Sequence, residues 1–201
     1  MAAEQYFQSI AEEIFSDILG QLGARRTRLL PLVVRFESGE WFVELLALAE
    51  DGPRYSPRVE IGPLPERGTL PRDKQVDILH TVPGNSPLRR YNLEWCYSDP
   101  IEMRHAYKRV RDEVFKPFAL AVLLDRKRLN GLVASRSQEV QRQWEEEVAA
   151  HNDAVYRKKA QAVIAKKDFK SFLEQMRKIP EERQTKAERA RVRFVEKQLR
   201  K

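Results

Sequence analysis

LLPLVVRFESGEWFVELLAL, residues 29–48, is the stretch whose reading decides the fold. Leu29 to Phe36 and Trp41 to Ala49 are both rich in aliphatic, β-branched and aromatic residues, and Glu37-Ser38-Gly39-Glu40 separates them. That pattern predicts two strands joined by a hairpin turn. In the second strand Trp41, Val43, Leu45 and Ala47 share one face, while Phe42, Leu46 and Leu48 share the other with Glu44 among them. Apolar residues on both faces imply that both are at least partly covered. A cover lies just upstream. Phe7, Ile10, Ile14, Phe15, Ile18 and Leu22 recur at helical spacing over residues 3–19, with Glu12, Glu13 and Asp17 opposite and Gly20 and Gly23 as the stop.

Downstream, residues 53–87 hold seven of the eleven prolines. Proline removes backbone donors, so only short elements are expected there: a strand near Arg58 to Ile61 and a helical turn near Asp73 to Leu79. Tyr91, Leu93, Trp95 and Tyr97 alternate with polar residues and predict a further strand. The predicted core joins Trp41, Val43, Leu45, Leu93 and Trp95 to Ile10, Ile14 and Ile18.

Ser98-Asp99-Pro100-Ile101-Glu102 combines an N-cap, a first-turn proline and an early acid, so a helix starts there and carries Met103, Tyr107, Val110 and Val114. Pro117 should kink or end it. Phe118 to Leu124 then continues as helix to Asn130-Gly131, which should end it. The next helix begins near Ser135 or Ser137 and reaches about Ala165, with a narrow stripe of Val140, Trp144, Val148, His151 and Val155. A helical hairpin follows. Phe169, Phe172, Leu173 and Met176 mark one helix, ended by Pro180. Thr185 and Glu188 have capping-box spacing before a helix that presents Ala187, Ala190, Phe194, Val195 and Leu199. Two short helices bury one another only with a third element, which the long helix can provide. The predicted architecture is α+β: a small, mostly antiparallel sheet with flanking helices over residues 1–132, then a basic helical region over 133–201.

With 42% hydrophobic and 33% charged residues, the 201-residue chain is globular rather than disordered. Its single cysteine, Cys96, cannot form an intramolecular disulfide or a cysteine-based zinc site and favours a reducing compartment. No apolar run approaches a membrane span, and MAAEQYFQSIAEE lacks a basic leader, so a cytoplasmic protein without a signal peptide is expected. The net charge of +7 is unevenly placed. Residues 151–201 hold 16 Lys plus Arg against 7 Asp plus Glu, whereas residues 1–150 hold 21 against 23.

No spacing unites catalytic groups. His80, His105 and His151 fall in three predicted elements, and Cys96 sits within an alternating strand. There is no GxGxxG, GxxxxGK[ST] or GxSxG, and Glu44 and Glu60 lack an acid-x-lysine follow-up. Neither a catalytic site, a metal nor a cofactor is therefore expected. The basic tail instead points to a macromolecular partner. Arg157, Lys158, Lys159, Lys166, Lys167, Arg177, Lys178, Arg189 and Arg193 are the candidate partner-binding residues. On helices such residues can track phosphates, although the interspersed acids dilute the patch. The apolar face of the last helix is too narrow for a membrane surface.

The helix QYFQSIAEEIFSDILGQL, the hairpin LLPLVVRFESGEWFVELLAL and the strand after it resemble the immunity proteins that pair with bacterial polymorphic toxins. The segment AVYRKKAQAVIAKKDFKSFLEQMRKIPEERQTKAERARVRFVEKQL resembles helical hairpins ending proteins encoded beside such toxins. The resemblance covers about half the chain and carries no functional residues with it. It implies a non-enzymatic protein that occludes the active site of a cognate toxin. The basic charge departs from the acidic habit of immunity proteins that block nucleases, which favours toxins with acidic or neutral surfaces. The alternative expectation is a basic, nucleic-acid-associated accessory protein.

Overall fold

A computed structural model describes residues 2–49, 55–64, 74–89 and 97–200. Its contacts divide the chain into two compact units, Met1–Gln138 and Glu139–Lys201.

The first unit opens with helix α1, Ala2–Gln21. Its end is fixed by Gly23, whose φ of 77° is the left-handed conformation that glycine adopts without cost. The Ala24 N–H donates to the Leu19 carbonyl and the Gly23 N–H to the Gly20 carbonyl, which satisfies the last carbonyls of the helix. Five antiparallel strands follow in sequence order: β1 Arg25–Leu30, β2 Val33–Glu37, β3 Trp41–Ala49, β4 Tyr55–Pro63 and β5 Val76–Asp77. The predicted strand 29–36 is thus two strands. Pro31, which cannot donate to a ladder, and Leu32 turn the chain between them. The turn before Trp41 is held by Ser38, whose hydroxyl accepts from the N–H groups of Glu40 and Trp41. The predicted strand 91–97 lies outside the described residues except for Tyr97, which bridges Tyr55 antiparallel.

Asp99 caps helix α2, Pro100–Arg109, by accepting from the N–H groups of Ile101 and Glu102. The chain stays helical through Pro117, but Val110–Ala119 widens into a π-helix. The Leu120 N–H reaches back five residues to the Phe115 carbonyl, a register in which the missing N–H of Pro117 is tolerated. Helix α3, Leu120–Leu123, follows. Helix α4 then runs unbroken over Arg126–Ala165, so Asn130-Gly131 is not a stop. The break falls earlier, at Asp125, whose side chain accepts from the Arg128 N–H. Leu129 and Val133 are buried on either side of Gly131, and that tertiary packing outweighs the modest helix cost of one glycine.

Phe7, Ile10, Ile14, Phe15 and Leu19 of α1 pack with the inward faces of the sheet, among them Phe36, Trp41, Val43, Leu45 and Ile61. Ile18 is half-buried at the edge of this core, and Leu93 and Trp95 lie outside the described residues. The α2 and π-helical segments close the core. Phe15 and Phe115 meet edge to face at 5.5 Å, and the buried Tyr107 hydroxyl donates to the Leu46 carbonyl at 2.5 Å. Arg104 holds α2 to α1 through a two-pronged contact with Glu13 at 2.9–3.1 Å.

In the second unit, α4 is followed by α5, Phe169–Met176, and α6, Lys186–Leu199. Asp168 caps α5, and α6 begins with the capping box predicted from Thr185 and Glu188. Ala160 of α4, Phe172, Leu173 and Met176 of α5, Ile179, and Val195 of α6 form a small core. Among the described residues, no helix is long and apolar enough to cross a membrane.

Candidate functional site

Two surfaces concentrate chemistry, one in each unit. The first is the sheet face turned away from the α1 core. Register places Arg28, Arg35, Glu44, Glu60 and Asp77 in one row across all five strands. Arg35 is buried, its guanidinium 3.9 Å from the centre of the Phe42 ring and its Nε 2.7 Å from Glu37. Arg58 spans two acids, Glu60 at 2.7 Å and Asp77 at 3.4 Å. Glu60 is 4% exposed, and its second carboxylate oxygen is buried without a hydrogen-bond partner. Burial pushes the Glu60 carboxyl above its ordinary value, against the pull of Arg58, and neighbouring Asp77 and Glu44 add to the rise. Burial likewise raises Asp77. Arg58 pairs with two of these acids, and among the described residues no group of three or more His, Cys, Asp or Glu is arranged to hold a metal ion. The signal for this row is present in sequence as two Arg-x-Glu triplets, Arg35 to Glu37 and Arg58 to Glu60. Period two puts both ends of each triplet on one face.

The second surface lies on the helical unit, which holds all nine candidate partner-binding residues. The structure separates them into two groups. Arg157 is engaged within the unit: its Nε meets Glu188 at 2.7 Å and its guanidinium donates to the Arg183 carbonyl at 2.8 Å. Burial raises Glu188, but Arg157 and the Thr185 N–H outweigh it and hold the carboxyl below its ordinary value. Arg189 donates to the carbonyls of Glu181 and Gln184. Arg177 faces Glu196 at 3.6 Å and Lys178 faces Glu174 at 3.5 Å. Lys158, Lys159, Lys166, Lys167 and Arg193 are exposed, without an ion pair to any described residue. Lys167 also carries a positive φ of 60° in the turn that ends α4.

The apolar stripes assigned from sequence also divide. The α4 face that covers the hairpin is Tyr156, Ala160, Val163 and Ile164, not the stripe from Val140 to Val155. In α6 only Val195 of the predicted stripe is buried; Phe194 is 58% exposed and Leu199 43%. Helical spacing puts Arg191 and Lys197, three residues to either side of Phe194, on the same side of α6. Arg191 also borders a cleft of about 190 Å³ that includes Phe172, Met176 and Ala160 in its lining. Arg157, Gln161 and Glu188 add to its polar edge. The result is an exposed aromatic ring between cations, beside an opening large enough for one side chain. Sequence reading missed this arrangement because it placed Phe194 in the apolar interface.

Of the residues tested for catalysis, His105 and His151 are exposed on separate helices and His80 lies in the short 3-10 helix Ile78–Thr81. Cys96 lies outside the described residues. The chain matches no protein-family model, no curated protein and no solved structure.

Proposed function

We propose that this chain is a non-catalytic, cytoplasmic binding protein that captures an acidic protein surface on α6. The observation that carries the reading is Phe194, 58% exposed between Arg191 and Lys197. A rigid aromatic ring exposed among cations is the composition of an interface hot spot, because burying it on a partner removes apolar area from water while the rim charges select an acidic face. The adjacent cleft offers such a partner an anchor. The resemblance to toxin immunity proteins gives the partner a class: a bacterial toxin whose active site is occluded.

The test co-expresses the protein with the product of the gene adjacent to its own. Restored growth and a stoichiometric complex on size exclusion are the expected results. Phe194→Ala combined with Arg191→Glu should abolish both and leave the melting temperature nearly unchanged, since Phe194 and Arg191 are exposed. Full protection by that double variant would refute the α6 surface.

A further inference from the structure

Within the second unit the stretch of α4 from Gln141 to Val148 is exposed on every side, and its large apolar residues lie along one line. Tyr156, Ala160, Val163 and Ile164 pack towards α5 and α6, whereas Val140 is 47% exposed, Trp144 59% and Val148 38%. The line through Val140, Trp144 and Val148 continues through His151, Val155 and Lys159 in steps of four, four, three, four and four. This is an eleven-residue period. Eleven residues make nearly three whole turns, so the line keeps to one side of the helix along its length. A contiguous exposed apolar line of this kind is an interaction surface rather than scattered surface hydrophobicity.

The charges along the line identify what covers it. Glu145 and Glu147 flank Trp144 in the first half, and Lys158 and Lys159 occupy the second half. We infer that this face pairs with the same face of a second copy, antiparallel, about a two-fold axis near His151. In the register that sets Val148 against Val155 of the second copy, Trp144 meets Lys159, Glu147 lies on the same flank of the seam as Lys158, and symmetry makes each contact twice. Each indole face receives an ammonium, an attraction between the ring quadrupole and the cation. A parallel pairing would instead set glutamate on glutamate and lysine on lysine. The same surface patch serves both copies, so the association closes at a dimer. This inference uses a face separate from the Phe194 surface of α6 and does not depend on the function proposed for it.

Sedimentation velocity of the full chain from about 1 μM to about 100 μM tests the association. A reversible dimer is expected, and Trp144→Ala should weaken it by at least about tenfold. The exposure of Trp144 leaves the fold intact in that variant, which an unchanged melting curve verifies. Glu147→Lys and Lys158→Glu should each weaken the dimer, and the two together should restore it. Orientation is read by disulfide trapping in a Cys96→Ser background. His151→Cys should cross-link between copies, whereas Val140→Cys should not, because the two Val140 positions are about 34 Å apart along the antiparallel pair. A monomer at every concentration, a dimer indifferent to Trp144→Ala, or equal cross-linking at both positions would overturn the proposal.

Discussion

Two glycines show how one residue type serves opposite ends. Gly62 on β4 pairs with Phe42, and a Cβ added there would overlap the Phe42 ring and the backbone carbonyl of Lys74. The site requires the absence of a side chain, since the chain at Lys74 comes down onto the strand. Gly131 is different: it lies within α4, and an added Cβ would meet nothing within 4 Å. Gly62→Ala should therefore destabilise the protein by about 1–3 kcal/mol through overpacking. Gly131→Ala should stabilise it by about 0.5–1 kcal/mol by restricting the unfolded chain and improving helix propensity. Urea denaturation of both variants checks the pair, and the opposite signs are the point at issue. From sequence alone Gly131 reads as a helix stop, and Gly62, set among Pro57, Pro63 and Pro65, as suited to a turn. Neither reading has access to the tertiary contacts that decide it, Leu129 and Val133 for the one, Phe42 and Lys74 for the other.

At the scale of the element, the sheet's outer row makes a pH-dependent prediction. Glu60 keeps its proton to higher pH in the folded protein than in the unfolded chain, because burial opposes the charged form. In the interval between the two values the folded state binds more protons, so stability falls as pH rises from the ordinary glutamate value of 4.5 through the folded one. Asp77, raised in the same way, adds to the slope. Glu60→Gln mimics the protonated form. The variant should match the wild type at about pH 4 and become progressively more stable relative to it towards about pH 8. Urea midpoints at both pH values measure this; a gap constant with pH would show that Arg58 fully compensates the buried carboxylate. Legibility at this scale follows periodicity. The α1 stripe, the inward face of β3, the Asp99 cap and the Thr185 capping box depend on local spacing and were readable. The division of residues 29–36 into two strands and the π register that carries the helix past Pro117 were not, because a turn at Pro31 and a π register depend on packing rather than on local pattern. The buried faces of α4 and α6 were not readable for a related reason: their buried and exposed stripes both contain apolar residues, and only the partner helix selects between them.

For the whole molecule, the charge asymmetry separates a protein-binding function from the nucleic-acid alternative. An excess of cations sits in residues 151–201, 16 against 7 acids. Phosphate binding depends on the number of cations free to displace counterions, not on the formal total. Arg157, Arg177, Lys178 and Arg189 are held by acids or carbonyls of their own unit. Lys158, Lys159, Lys166, Lys167 and Arg193 remain, together with the cations beside Phe194. One exposed ring between arginine and lysine suits a protein hot spot better than single-stranded nucleic acid, which is bound on successive stacked bases along a groove. The intact protein should therefore bind duplex DNA and single-stranded RNA only weakly and without sequence preference at about 0.15 M salt, with affinity falling steeply as salt rises. Lys158→Ala and Lys159→Ala together should reduce that residual binding yet leave capture of an acidic partner on α6 intact. A salt titration of binding by fluorescence anisotropy, on the intact protein and this double variant, makes the measurement. Tight binding that persists near about 0.15 M salt and disappears in the double variant would transfer the function to nucleic acid, because it would mean that the α4 cations, rather than the Phe194 surface, carry the affinity.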